Sequence, residues 1–486
     1  MVTPAKAQQQ QQLSGRPQGG ASVSAQQSTA PGGSSSSVDV LNTTVQVQGS
    51  YIGSVPDTIS GAVHLNLHDA IQRALKTNLG TVGASASQQQ ARGVRLASLS
   101  ALLPSITGSI SENVNRFDLQ SEGLSASTFG GAGASFPTAV GPVHYYDAHA
   151  AVSEDLLDPA AVHNLRSARA SENAALLNFK DARELVVYAT AGTYLQLLAT
   201  MAEVESERVQ VDYAQASYKQ AAAQNSVGTK STVDTNKILI QLETEQQRLL
   251  SRQTDYEKQK MQLERIMGLP LGATVIIDET LPYTPQPPIS LEDALQQAVA
   301  NRADLQAAKA QLRAAEQTVK ASKSEYLPTF ALSGTYGIEG TNPNQGISVY
   351  TGVASLSIPI WQGGKAKADV VQANAAVAQR KAELADQQQV VELDVRNAYL
   401  DMETATKQVT VAIDNRKLAL ATLKQSQDRF AAGVTTSVEV VQAHETLASA
   451  EQDYISSLYS HNLAKVSLAR AIGDAEHTIP DLLKGN

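Results

Sequence analysis

Between Ala160 and Leu269 the chain contains no proline and only three glycines, Gly192, Gly228 and Gly268. Most other positions hold Ala, Leu, Gln, Glu, Lys or Arg, residues that lose little on entering a helix. Asp158-Pro159 supplies the start, an N-cap-type residue followed by proline at the first helical position. The sequence therefore predicts one long helix to Ser226, a reversal at Val227-Gly228-Thr229, and a second long helix back to Met267. A helix over 160–226 spans roughly 100 Å at about 1.5 Å per residue. That is too long for a compact soluble domain, so such a hairpin must project from something. On the return helix Ile238, Leu242, Leu249, Tyr256, Leu263 and Ile266 recur at spacings of four and three, as a coiled-coil seam does. Glu245, Arg252 and Gln259 interrupt it, as they would if the seam bordered water.

Composition narrows the partners. The formal net charge is −9, which argues against nucleic acid, since backbone binding needs a basic face. Cysteine is absent, and with it disulfides, thiol catalysis, cysteine-ligated metals and any lipidated cysteine in this chain. No run of 18 or more consecutive apolar residues suggests a membrane-spanning helix. Met1 to Gln12 is polar and lacks the apolar core of a signal peptide, so the chain either stays inside or is a processed form.

Two short alternating segments precede the long hairpin. Ile106, Gly108, Ile110 and Val114 share one face of the first, broken by Glu112; Tyr146, Ala148, Ala150, Val152 and Leu156 share one face of the second. Each has about the ten residues that a membrane-crossing β-strand requires. After a proline-rich link the sequence begins again. Leu67-His68-Asp69-Ala70 is answered by Leu291-Glu292-Asp293-Ala294, and Leu103-Pro104-Ser105 by Leu327-Pro328-Thr329, both 224 residues on. Tyr194-Leu195, Gly228 and Gly268 are answered by Tyr399-Leu400, Gly433 and Gly473, each 205 residues on. The second repeat has strands of its own, with Leu332 on one face of the first and Leu356 and Ile358 on one face of the second. The chain is an internal duplication, helix, strand, strand, long helix, long helix, twice over.

The expected organisation is a disordered Gln/Ser/Gly-rich segment over 1–60 and a first repeat over 61–269, with strands near 105–117 and 145–157 and long helices near 160–226 and 231–267. A proline-rich linker follows over 270–290. The second repeat covers 291–473, with strands near 329–339 and 349–360 and helices near 365–431 and 437–472, and a tail covers 474–486. Four strands cannot close a barrel, because closed spanning barrels need about eight or more. An open sheet in lipid would leave unpaired edges, so closure calls for several chains. Aromatic residues for the membrane interfaces are few: Tyr145, Tyr146, Tyr336, Tyr350 and Trp361. A water-soluble sheet on a coiled-coil scaffold, with no pore, is the alternative.

The duplicated order, the Leu-x-Asp-Ala openings, the Leu-Pro-Ser/Thr helix stops and the Val-Gly-Thr and Ala-Gly-Val turns resemble the TolC-type outer-membrane efflux protein family. The likeness covers nearly all of Leu65 to Gly473. It implies a mainly α fold with a membrane β-barrel: a homotrimer whose twelve-stranded outer-membrane barrel is continuous with a periplasmic α-helical barrel, the link forming part of an equatorial belt. It also implies a passive exit duct in the outer membrane of a Gram-negative bacterium, for tripartite efflux or type I secretion. The partners would be a periplasmic adaptor protein, an inner-membrane transporter and outer-membrane lipid, with no cofactor and no enzymatic step.

The same resemblance places the adaptor-docking tips at Val227, Gly228, Thr229, Ala432, Gly433 and Val434. It places the periplasmic gate at Asp234 and Glu439, with Gln442, Thr435 and Phe430 at positions where the family carries a second acid, a basic residue and a tyrosine. The lipid-facing strand residues would be Ile106, Ile110, Val152, Leu332, Leu356 and Ile358. Glycine suits either tip simply by tolerating positive φ, and first-turn acids suit any helix N-terminus. Other motifs weaken on inspection. Gly363-Gly364-Lys365 is followed by Ala366 where a phosphate loop carries Ser or Thr. His64 and His68 have no accompanying ligands, and His444 and His461 fall within the last long helix.

Overall fold

The computed structural model describes residues 63–119, 138–228, 231–277, 279–284 and 289–482, together with Tyr51, residues 53–56, Ser121 and two three-residue strands nearer the N-terminus. Most of the 1–60 segment, the loop over 122–137, Thr229 and the prolines at 285, 287 and 288 lie outside the described residues. In order, the chain forms β1 (Ser24–Gln26), β2 (Thr44–Gln46), β3 (Val63–His64), α1 (Leu67–Thr77), α2 (Leu79–Ser100), β4 (Ser105–Asp118), β5 (Ala139–Leu157), α3 (Pro159–Ser226) and α4 (Thr232–Met267). There follow β6 (Val275–Ile276), α5 (Leu291–Asn301), α6 (Ala303–Ser324), β7 (Thr329–Gly340), β8 (Ile347–Ser357), α7 (Lys365–Ala431), α8 (Ser437–Ile472) and α9 (Ala475–Leu482). Strand β5 begins at Ala139, ahead of the alternating stretch that marks it in the sequence, and β8 ends at Ser357, so Ile358 lies beyond its strand.

The chain divides into two compact units, and neither coincides with a repeat. One takes Met1–Ala86, Asn178–Leu305 and Gln388–Asn486; the other takes Ser87–Leu177 and Gln306–Gln387. The first is helical. Its core gathers Ile71 and Ala74 of α1, Val186, Tyr194 and Leu198 of α3, Leu263 and Met267 of α4, Leu463 and Val466 of α8, and Ile479 of α9. An 18-residue stretch within α3 is apolar enough to cross a membrane by length and composition, but 67% of it is buried in the protein, as in a core helix. Within the expected tail, residues 475–482 form α9: Ala475 and Ile479, one turn apart on it, are fully buried, and Glu184 accepts from the Ala475 N–H at 2.7 Å.

The opening helix of each repeat is broken rather than continuous, at Asn78 and at Arg302, positions 224 apart. The Asn78 side chain accepts from Gly80 N at 2.8 Å and donates to Tyr51 O at 2.7 Å, giving the backbone partners that a straight helix would not. The final helix of each repeat docks on its break. Thr77 donates to Met267 O at 2.9 Å, and a Cβ on Gly268 would lie 2.9 Å from Thr77 Cβ. A Cβ on Gly473 would lie 2.8 Å from Arg302 N, and both glycines hold positive φ. The buried Arg302 is held by Asp304 at 2.5 Å and Asp394 at 2.8 Å.

The second unit contains an antiparallel four-stranded sheet ordered β4-β5-β7-β8. The central pair, β5 and β7, joins the two repeats edge to edge. The register runs Ile106, Val152, Gly334, Gly352 across the sheet in one row, and Ile110, Ala148, Ile338, Ser348 in another. Directly opposed residues share a face. Ile106, Ile110, Val152, Leu332 and Leu356 therefore lie on one side and are exposed there, Ile110 at 77%. The other side carries Thr107, Ser109, Ser111, Asp147, His149, Ser333 and Thr335. Glu154 stands opposite Leu332 on the apolar side by the regular alternation, and a register shift between Asp155 and Leu157 then displaces Leu156 from it. Glu112 is on that side too, 2.9 Å from His144.

Candidate functional site

Two helix reversals lie within the helical unit. Gly228 (φ 73°) and Gly433 (φ 75°) adopt the left-handed conformation, and a Cβ at either would meet open space. The requirement for glycine there is conformational, not steric. Val434 N returns to Arg429 O at 3.0 Å, closing the end of α7, and Ser231 caps α4 by accepting from Val233 N at 3.1 Å. Val227, Gly228, Ala432, Gly433 and Val434 are all exposed.

The acids beyond these turns are engaged by this chain. Ser437 donates to Asp234 Oδ1 at 3.0 Å, tying the first turn of α8 to the first turn of α4. Arg429 Nη1 donates to Glu439 Oε1 at 3.0 Å, and Thr435 donates to the other oxygen of the same carboxylate. Phe430 is buried with Ala221, Ile238 and Val440, so it holds the two hairpins together where a tyrosine would offer a hydroxyl. Gln442 is exposed one turn along α8. Arg429 and Ser437 were not among the gate residues expected from the sequence. The signal for Arg429 was available: Arg429 and Glu439 flank Gly433 at similar distances, so an antiparallel hairpin brings them face to face.

Further along the hairpins a charged layer replaces the seam. Glu245 of α4 is buried, hydrogen-bonded to Gln241 at 2.5 Å and paired with Arg248 at 3.2 Å; Arg248 also reaches Glu445 of α8 at 3.3 Å. Arg252 pairs with Glu203 of α3 at 3.1 Å. Burial raises the pKa of Glu245, Glu203 and Glu207, and the Glu245 charge raises that of Glu207 further. Two of the three polar interruptions of the heptad pattern are thus internal ion pairs. His444 and His461 are buried on α8, and burial lowers the pKa of both. Among the described residues no group of three or more His, Cys, Asp or Glu is placed to hold a metal ion.

Duplicated long helical hairpins, a four-stranded antiparallel sheet with one apolar face, and glycine reversals define a TolC-type channel fold. The Campylobacter jejuni CmeC outer membrane channel has the same fold, with a TM-score of 0.73 and 16% identity over 84% of this chain and 86% of that one. Residues 294–474 match the family described as outer membrane efflux protein. The outer membrane protein TolC of Vibrio cholerae is 21% identical over 90% of this chain and 97% of its own length. The probable outer membrane lipoprotein SilC of Salmonella typhimurium is 22% identical over 48% of this chain, which covers about half (51%) of SilC. The chain is thus similar to outer membrane efflux proteins, in sequence over these spans and in the TolC-type fold.

Proposed function

We propose that the chain is a passive exit duct in the outer membrane of a Gram-negative bacterium, serving a tripartite efflux or type I secretion system. The observation that carries this reading is the sheet. Its apolar face is exposed from Ile106 on β4 to Leu356 on β8, and both of those strands are open edges. In lipid each unpaired edge group costs several kcal/mol, so the edges must be paired by other copies. Three copies would place twelve strands in a closed barrel, and the polar face with Ser109, Asp147 and His149 would line a wet lumen. A pore-free scaffold would need the same apolar residues inside a protein core.

In this reading the exposed tips around Gly228 and Gly433, with Thr229, meet a periplasmic adaptor that connects to an inner-membrane transporter. Asp234 and Glu439 line the inner mouth beside Thr435 and Gln442. Three copies of each carboxylate around a narrow opening would favour cations. The ties from Ser437 and Arg429 would hold the mouth shut until the hairpins part. No step is catalysed by the duct itself; the energy for export comes from the transporter. The test is single-channel recording of the purified full chain in a planar lipid bilayer. Discrete, cation-favouring openings are expected, and a protein that never conducts would overturn the reading.

A further inference from the structure

A chamber of about 710 Å³ lies within the helical unit, walled by α3, α7, α8 and the link residues 280–281. Val209, Tyr213 and Leu420 are exposed and mark its mouth, whereas Leu198, Leu447 and Ile455 are buried and mark its floor. Its size and apolar lining suit a drug-sized molecule. Among the described residues around it, one polar side chain is buried. Gln210 is 3% exposed, and its carboxamide makes no hydrogen bond to any described residue. Buried amides are nearly always paired, because an unpaired one forfeits the hydrogen bonds it made to water.

The charges beside the chamber are already matched. Arg416 Nε donates to both oxygens of Glu451 at 2.8 Å, and the same guanidinium lies 4.8 Å from the centre of the Tyr454 ring. Glu205 pairs with Arg208 at 3.5 Å, where both side chains face water. The floor therefore offers apolar surface and one neutral amide, able to donate hydrogen bonds and to accept them. An ionised ligand would lose its hydration there and gain no counter-charge. Water would satisfy the amide but would lie against leucine and isoleucine, so its release favours an apolar occupant.

We infer that this chamber is a binding site for an uncharged, apolar molecule carrying one carbonyl or amide group, which pairs with the Gln210 carboxamide. Binding there requires no pore and goes beyond the duct reading above. The probe is benzophenone, an uncharged ketone with two apolar rings that inserts into nearby C–H bonds on illumination. The full chain is labelled in detergent, and adducts are located by digestion and mass spectrometry. The expected result is saturable labelling within residues 198–213 and 447–455, set against a linear rise on the detergent-covered sheet face at Ile110. Diphenylmethane, the same two rings without the carbonyl, should compete poorly. Gln210→Leu should weaken the saturable labelling by about 2- to 10-fold, as loss of one hydrogen bond does, and remove the preference for the ketone. Ala202→Trp, which places an indole in the chamber, should abolish that labelling while single-channel conductance stays as in the parent protein. Labelling confined to the sheet would mean a chamber holding only water or a neighbouring copy, and would overturn the site. Labelling that Gln210→Leu leaves unchanged would overturn the role of the amide. Saturable labelling of a protein that never conducts would overturn the duct and leave the site.

Discussion

The helical unit and the four-stranded sheet solve the same problem in opposite ways. In the helical unit the chain covers its own apolar surface: Ile71, Tyr194, Met267 and Val466 are fully buried, and the final glycine of each repeat packs against a helix break in the same unit. In the sheet it does not. Every residue of β4 from Ser105 to Asp118 is exposed, apolar and polar alike. Periodicity tells which face of an element is apolar; what covers that face depends on the solvent and on how many chains assemble. The first unit covers its core within one chain, whereas in the proposed duct the second would be finished by lipid and by further copies.

The comparison is broken most directly in the helical unit. Leu468→Ala, at a buried position of α8, should cost about 2–5 kcal/mol. That cost should appear in the helical melting transition in detergent, whether or not the protein is in a membrane. A loss confined to membrane samples would erase the distinction drawn here. Ile110→Arg should do the reverse. At mid-bilayer it costs about 2–4 kcal/mol, visible as failed insertion into vesicles, while the helical melt in detergent stays unchanged. Leu356→Arg, beyond the charged Glu154 and so nearer the edge of the membrane, should cost about 0–1 kcal/mol; equal penalties at the two sites would refute that placement.

Smaller effects sharpen the picture within the helical unit. The folded-state pKa of Glu245 is raised by burial, so the folded state takes up its proton before the unfolded chain does. Stability from this group is therefore gained as pH falls from neutrality toward the ordinary glutamate value of about 4.3, and lost as pH rises through the folded pKa. Asp304 works the other way. Burial opposes its charge, but the bonds from Arg302 outweigh this and lower its pKa, so its contribution fades only in stronger acid. Thermal melts of Glu245→Gln between about pH 7 and 5 should show less gain on acidification than the parent protein; an unchanged profile would remove Glu245 from the account. At the tips, Ser437→Ala removes one hydrogen bond worth about 0.5–1.5 kcal/mol and should raise the open probability of single channels. Glu439→Gln should leave stability nearly unchanged yet weaken block by multivalent cations.

Much of the helical architecture was legible because its signals are local. Proline at 159 and glycines at 228, 268, 433 and 473 punctuate stretches of strong helix formers, and the constant offsets of 224 and 205 exposed the duplication. The breaks at Asn78 and Arg302 carried no such signal, since neither residue is a helix breaker by type; side-chain bonds made only in the folded state fix them. The displacement of Leu156 was hidden for a related reason: a shift of one residue between Asp155 and Leu157 breaks the alternation, and period-two counting cannot see it. At the tips the acids were visible as first-turn residues, but their partners depend on how one hairpin folds back on itself and meets the other.

The central claim is that the open edges β4 and β8 meet between copies. The chain has no native cysteine, so paired substitutions can test this cleanly. One cysteine would be placed on β4 among residues 105–113 and one on β8 among residues 347–355, across a panel of registers, and the membranes oxidised. For at least one register, non-reducing gels should show a covalent ladder that ends at three chains and collapses on reduction. Monomers at every register, with the protein correctly inserted, would contradict the account.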